Sequence, residues 1–331
     1  MSYQTGSATD VADVLDKLAV WLASITWTVD NNSVDGAGRR LHAHKSGVYV
    51  NLRAALGEAV VGHFDNSAYG VGSGISIYLG NGYSAGSSWK LQPGGPVPNG
   101  LTYTVGATAP TAVGAIVAYH FFSDATDSNI IVVIERTSGI YTHFGWGLSL
   151  NKRGTWTGGP YFYGVVGSYH ASSVLTSGTP GRLYSCACPF AYATAENIAY
   201  VLVDVDAFTS KWVTFGVGST TNYMGYTGKS GWSTAWYGSS VDTPTYFYSA
   251  NRLTNQLNGQ SLLLPIHLTV NRDAGGASFI GDVPNVFLTN ACAKGFTPGS
   301  VYAWGLDNYV VFPGPASGAE WPHCGFAVKK V

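Results

Sequence analysis

The sequence predicts a mainly β chain with one N-terminal amphipathic helix, an α+β protein whose antiparallel sheets stack in a sandwich-like arrangement. Three observations carry that prediction. Glycine accounts for 43 of 331 residues and aromatic side chains for 14%, pairing frequent turn formers with bulky strand formers. The stretch Asn129 to Leu150 joins an unbroken β-branched run, Ile130 to Ile134, to an alternating segment around Phe144, Trp146 and Leu148. With the short link Arg136-Thr-Ser-Gly139 between them, it reads as a β-hairpin with one strand deeply buried. Only one segment, near the N-terminus, carries a clear helical period.

That segment follows Ser7-Ala-Thr-Asp10, an N-cap signal with a carboxylate three residues later. Val11, Val14, Leu15, Leu18, Leu22 and Ile25 then recur at helical spacing with Trp21 on the same face, predicting about four to five turns. Asp10, Asp13 and Asp16 lie toward the positive end of the helix dipole, where carboxylates are favoured. The stripe Val11, Val14, Leu18, Trp21 and Leu22 is a packing face, and its partner is a sheet or a neighbouring subunit.

Beyond the helix, Trp27 to Val29 reads as a strand, Asp30 to Gly36 as a polar loop, and Arg40 to His44 with Gly47 to Ala54 as a second hairpin. Small residues dominate Gly62 to Gly74, Ile75 to Leu79 is a short strand, and Gly80 to Gly100 is a long Gly, Ser and Pro-rich loop. Ala115 to Ser123, Tyr161 to Val166, Ile198 to Val205, Leu262 to Val270 and Val283 to Leu288 read as strands. Val301 to Phe312 is a final hairpin before Gly325 to Val328. Residues 1–60 form a helix-plus-hairpin region and 61–331 a glycine- and aromatic-rich antiparallel region, with no linker composition between them. Sandwich and barrel both fit this order of elements.

Charge narrows the function classes. Seventeen basic and 18 acidic residues leave a net charge of −1, and charged residues are 11% of the chain, against roughly a quarter in ordinary globular domains. A monomer of 34.9 kDa exposes on the order of 13,000 Å², sparse cover for a lone soluble protein. The sequence therefore predicts a surface largely covered by other subunits; an extracellular surface rich in Ser, Thr, Asn and Tyr is the alternative. Arg39-Arg40, Lys152-Arg153 and Lys329-Lys330 are isolated pairs rather than a basic stripe, so nucleic acid is not an expected partner. No apolar run approaches the roughly eighteen residues of a membrane span, and acidic residues interrupt the only signal-peptide candidate. The expected compartment is the cytoplasm, which the four cysteines fit without disulfides.

Candidate chemistry is thin. Gly82-Tyr-Ser84-Ala-Gly86 matches a nucleophile-elbow pattern, but the following Ser87-Ser-Trp-Lys-Leu-Gln-Pro cannot make the helix that pattern needs, so a Ser84 hydrolase is a remote alternative. His42 and His44 share a strand face as a possible metal pair, with His63, Asp65 or His120 as conceivable third ligands; hydrogen-bonded or solvent-facing histidines are the competing reading. Cys186, Cys188, Cys292 and Cys324 read as small buried hydrophobes, and Asp204 with Asp206 as strand-end carboxylates rather than half of a calcium or glycosidase site. Trp232, Trp236 and Tyr237, with Tyr246, Phe247 and Tyr248, form either an aromatic platform for sugars or a core or subunit contact. No catalytic residue, cofactor or metal is expected.

Several stretches together resemble a group of uncharacterised virion structural proteins of tailed bacteriophages. They are the opening Met1-Ser-Tyr-Gln-Thr-Gly-Ser-Ala-Thr-Asp10 with Leu15-Asp-Lys-Leu18 and Trp27-Thr-Val-Asp30, and Asp35-Gly-Ala-Gly-Arg-Arg-Leu-His42 with Tyr49-Val-Asn-Leu-Arg53. The centre contributes His120-Phe-Phe-Ser123, Ile131-Val-Val133, His143-Phe-Gly-Trp-Gly147 and Gly158-Gly-Pro-Tyr-Phe-Tyr-Gly164; the C-terminal part contributes Pro298-Gly299, Tyr309-Val-Val-Phe-Pro313 and Gly325-Phe-Ala-Val328. Gly167 to Asn255 lies outside the pattern. The resemblance implies a role in the head-to-tail neck or the tail; together with the sparse charge it leads to the expectation of a non-enzymatic, multi-copy collar or neck subunit at the head–tail junction, assembled into the virion in the host cytoplasm, with copies of itself and other neck or tail proteins as partners. A baseplate or fibre-associated protein binding host glycan through the Trp232 and Trp236 cluster is the alternative.

Overall fold

The structure, a computed structural model, describes residues 2–61, 68–94, 107–111, 115–137, 140–165, 199–204, 212–216, 263–271, 277–289, 296–313 and 325–330. Strand β1 (Tyr3–Ala8) precedes helix α1 (Val11–Ser24), and the antiparallel run β2 (Thr28–Asp35), β3 (Gly38–Lys45), β4 (Val48–Val61) and β5 (Ala68–Gly80) follows. Next come β6 (Ala107–Thr111), β7 (Ile116–Ser123), β8 (Asn129–Thr137), β9 (Ile140–Gly147), β10 (Asn151–Lys152) and β11 (Tyr161–Val165). Then follow β12 (Ala199–Asp204), β13 (Trp212–Gly216), β14 (Leu264–Asn271), β15 (Ala277–Thr289), β16 (Val301–Trp304), β17 (Asp307–Pro313) and β18 (Gly325–Lys330). Among the described residues twelve strands form one sheet in the order β1-β7-β8-β9-β11-β6-β5-β4-β3-β2, with β12 and β13 extending from β11. Six form a second sheet, β10-β15-β18-β17-β16, with β14 on β15. All pairings are antiparallel.

Helix α1 starts three residues later than the Ser7 cap read from the sequence, because Ser7 belongs to β1 and Asp10 is the N-cap. The Asp10 carboxylate accepts from the backbone N–H groups of Ala12 and Asp13, while Asp13 reaches back to accept from Thr9 N–H at 2.8 Å, a reciprocal cap on otherwise unpaired donors. Val11, Val14, Leu18, Trp21 and Leu22 are 0–4% exposed. They share one core with Leu41, Ala43, Val50, Leu52, Ile75 and Ile77 of β3–β5, and with Phe121, Ile130, Val132, Phe144 and Trp146 of β7–β9. Of the two partners the stripe allowed, the sheet is the one found. The expectation that these five residues meet a neighbouring copy is thereby corrected, because their apolar surface is consumed inside the chain's own core.

The middle of the large sheet is covered on both faces. Ile130, Val132 and Ile134 point to the helix, whereas Ile131 and Val133, with Phe122, Tyr141, Tyr161 and Tyr163, point to Val286, Val310, Phe312, Phe326 and Val328 of the second sheet. A strand covered on both sides needs apolar residues at every position, which is why Ile130 to Ile134 is unbroken. The hairpin read from the sequence is β8–β9, paired from Asn129↔Gly147 to Thr137↔Ile140. On the second-sheet face of β9, Tyr141 and His143 give way to Gly145 and Gly147, which leave room for the rings of β11: a Cβ on Gly145 would lie 2.6 Å from the Tyr163 ring, and one on Gly147 2.5 Å from that of Tyr161.

Hairpin β3–β4 also follows the sequence, turning at Ser46 and Gly47 with φ of 51° and 80°, the left-handed pair of a tight two-residue turn. One expectation is corrected, and one strand is added to those read from the sequence. Asp30 to Gly36 is not a loop, since β2 pairs with β3 from Thr28↔His44 to Asp35↔Gly38. As an edge strand with no fully buried side chain, it lacks the apolar alternation that would have announced it. Tyr3–Ala8 is a strand on β7, and its short mixed sequence carried no such signal either. The 60/61 division falls inside β4, whose sheet continues on both sides of it.

Candidate functional site: the polar face beneath the Tyr83 loop

Because Leu41, Ala43, Val50, Leu52, Ile75, Ile77 and Leu79 face the helix, the period of two puts His42, His44, Tyr49, Asn51 and Tyr78 on the opposite face. Register aligns four of the polar side chains in one row, Asn31↔His42↔Asn51↔Tyr78, across β2 to β5. The chain leaving β5 folds back over this row. Asn81 N–H donates to Pro93 O at 3.0 Å, closing the loop. Gln92, 2% exposed, secures its interior by accepting from Ser84 N–H at 2.7 Å and donating to the carbonyls of Ser84, Ser87 and Ser88. The Tyr78 hydroxyl donates to Trp89 O and accepts from Gln92 N–H at 3.2 Å, and burial pushes its ionisation well up.

Tyr83 is the part of the loop that meets the row. Its hydroxyl accepts from Asn31 Nδ2 at 3.0 Å, and its ring lies 5.1 Å from that of His42. His42 is 1% exposed and Asn51 0%; His42 Nδ1 donates to Asn51 Oδ1 at 2.6 Å, which leaves Nε2 as an acceptor. Burial holds His42 below the ordinary imidazole range, against the opposing effect of the Asn51 bond. His42 Nε2, Asn51 Nδ2 and Asn31 Oδ1 are buried without a hydrogen-bond partner, and such groups are uncommon in folded proteins. Beside the row, His44 Nδ1 meets Asp30 Oδ2 at 2.8 Å and its ring stacks on Tyr49 at 4.6 Å.

No family model matches the chain, and no curated protein matches it.

The other sequence candidates fall elsewhere. His42 and His44 do share a face, but each engages its own hydrogen-bond partner, and among the described residues no group of three His, Cys, Asp or Glu side chains is placed to hold a metal. His120 lies between the two sheets, bonded through Nδ1 to the Tyr3 hydroxyl at 2.9 Å. Ser84 Oγ pairs with Ser87 Oγ at 3.1 Å, and a three-residue turn, Trp89–Leu91, stands where a nucleophile elbow needs a helix. Asp204 is fully buried, with its backbone paired to Gly159 and Pro160. Trp232, Trp236, Tyr237, Tyr246, Phe247, Tyr248, His63, Asp65, Asp206 and the four cysteines lie outside the described residues. No helix is long and apolar enough to cross a membrane among the described residues. Sequence reasoning missed Asn31, Asn51, Tyr83 and Gln92. The available signal was only that Asn51 alternates with the apolar Val50 and Leu52, which puts it on the polar side of its strand; strand register alone turns it into part of a row.

Proposed function

We propose that the chain is a multi-copy structural subunit of a tailed-bacteriophage virion, a collar protein at the head–tail neck that joins copies of itself and neighbouring tail proteins. The observation that carries this reading is the charge: 18 acidic and 17 basic residues over 331, net −1, too few to keep a free surface of this size well solvated. The fold supports it by supplying a rigid block, with a central sheet covered on both faces, and by leaving apolar side chains at its margins. Val34 on edge strand β2 is 71% exposed, Val301 on edge strand β16 46%, and Leu306 in the following turn 105%.

With α1 consumed internally, these margins replace the helix as the joints between copies. In a closed ring each copy presents the same two patches to its neighbours. Cryo-EM of purified particles tests the reading by locating the chain and counting its copies. Copies just below the capsid with the cyclic symmetry of the tail are expected, with edge strands at the contacts; absence of the chain from the particle would overturn the proposal.

A further inference from the structure

We propose that the outer face of β2–β5 is a binding site for a neutral, hydroxyl-rich ligand, a sugar or polyol, seated on the Asn31–His42–Asn51 row at Tyr83. The unpartnered atoms define the chemistry. His42 Nε2 and Asn31 Oδ1 are acceptors and Asn51 Nδ2 is a donor, so the complementary group must both donate and accept. Filling all three takes two donated protons and one acceptor, which two neighbouring hydroxyls supply; a carboxylate or a metal ion donates none.

Nearby charges are already engaged, which argues against an ionic ligand. Asp30 meets His44, Arg40 Nε donates to Ser33 Oγ at 3.2 Å, Arg39 is held by Asn32 and Asp16, and Arg53 by Asp35. A single internal water, with two protons and two lone pairs, matches the same three atoms. A sugar is favoured by the rim. The floor of His42 and Asn51 is buried, while Tyr83, Tyr49 and His44 around it are half-buried rings. Aromatic faces flanking a few placed polar groups suit the C–H face of a sugar, and water has no use for them. Tyr83 covers these atoms through its hydroxyl bond to Asn31 and its ring contact with His42, so the ligand enters as Tyr83 turns aside while Gln92 keeps the rest of the loop in place. This inference is independent of the virion proposal, and either can fail alone.

The test is a titration of the full chain, ¹⁵N-labelled at histidine, with glucose, galactose, N-acetylglucosamine and glycerol, following the His42 ring nitrogens by NMR. A saturable shift of Nε2 with at least one probe is expected. It should disappear in Asn31→Ala, which removes a half-buried edge-strand side chain, and weaken about tenfold or more in Tyr83→Ala, the loss of one good contact. Tyr83→Phe keeps the ring, frees the Asn31 amide and should retain binding, which separates loss of the site from loss of the loop's fold. No shift with any probe, a shift that survives Asn31→Ala, or a His42 nitrogen contacted only by slowly exchanging water would overturn the proposal, the last by showing a hydration site alone.

Discussion

Strands β8 and β2 belong to one sheet and have nearly equal lengths, nine and eight residues, yet they occupy opposite extremes of burial. Ile130 to Ile134 in β8 are 0–2% exposed, whereas no side chain of β2 is fully buried. β8 has a strand on each side and a packed layer on each face; among the described residues β2 is bonded to β3 alone. The difference shows that sequence announces a strand through its faces, not through its hydrogen bonds. Both strands are hydrogen-bonded into the same sheet, β2 along one edge and β8 along two, but only β8 must exclude water from every side chain, so only β8 writes its position into residue type.

The comparison breaks most visibly if a core position of the central layer is removed. Trp146, fully buried on β9 and edge-on to Trp27 at 5.9 Å, should cost about 3–5 kcal/mol as Trp146→Ala, read from urea unfolding. A loss under about 1 kcal/mol, the typical effect of an arbitrary substitution, would mean that the layer is not sealed.

Acid probes the other face of the same layer. His120 and His143 both oppose Val133; His143 stacks on Phe326 at 4.0 Å, and His120 lies edge-on to Phe312 at 5.0 Å. Burial pushes His120 down to about 4 and His143 down to about 3. Both groups are neutral in the folded and unfolded chain above about pH 6.5, where their contribution to stability is complete. As pH falls below that, the unfolded chain binds protons that the folded chain refuses. Stability should therefore drop by up to about 1.4 kcal/mol per pH unit per histidine, until pH reaches about 4 for His120 and about 3 for His143. Denaturant midpoints measured between neutral and acid pH check this, and His143→Leu should flatten part of the slope.

Smaller effects sharpen the same contrast. Asp10→Ala removes the acceptor for two helix N–H groups and should cost about 1 kcal/mol, seen as a lower midpoint with an unchanged denaturant slope. Val34→Thr on β2, at a 71% exposed position, should change the stability of the isolated chain by less than about 0.5 kcal/mol. Any larger effect of that substitution on particle assembly would then report a contact between chains.

Helix α1, the β8–β9 hairpin, β3–β4 and the C-terminal hairpin were legible because each carries a period or a tight turn that burial enforces: Trp21 on the Leu18 face, the Ile130 to Ile134 run, Ser46-Gly47. β1 was not, and β2 only in its first residues up to Val29, since edge strands with mixed side chains look like loops. For the polar face, the sequence showed that His42 and His44 share a side, and their hydrogen-bonded state was one of its two readings. Asn31 and Asn51 join them only through register, a long-range property that no local pattern contains, and Tyr83 arrives by the return of a loop whose path Gln92 decides. Whether α1 meets a sheet or a second copy was equally open at the level of its stripe; the packing of Leu18 and Trp21 against β3, β4 and β7 resolves it.

Native-state hydrogen exchange of the two strands tests the central claim most directly. Amides of Ile131 to Ile134 in β8 should exchange only through global unfolding, with the same free energy and denaturant slope as the whole chain. The β2 amides bonded to β3 should exchange through a local opening of lower free energy and almost no denaturant dependence. If β8 opened locally at the same free energy as β2, the doubly covered central layer would be contradicted.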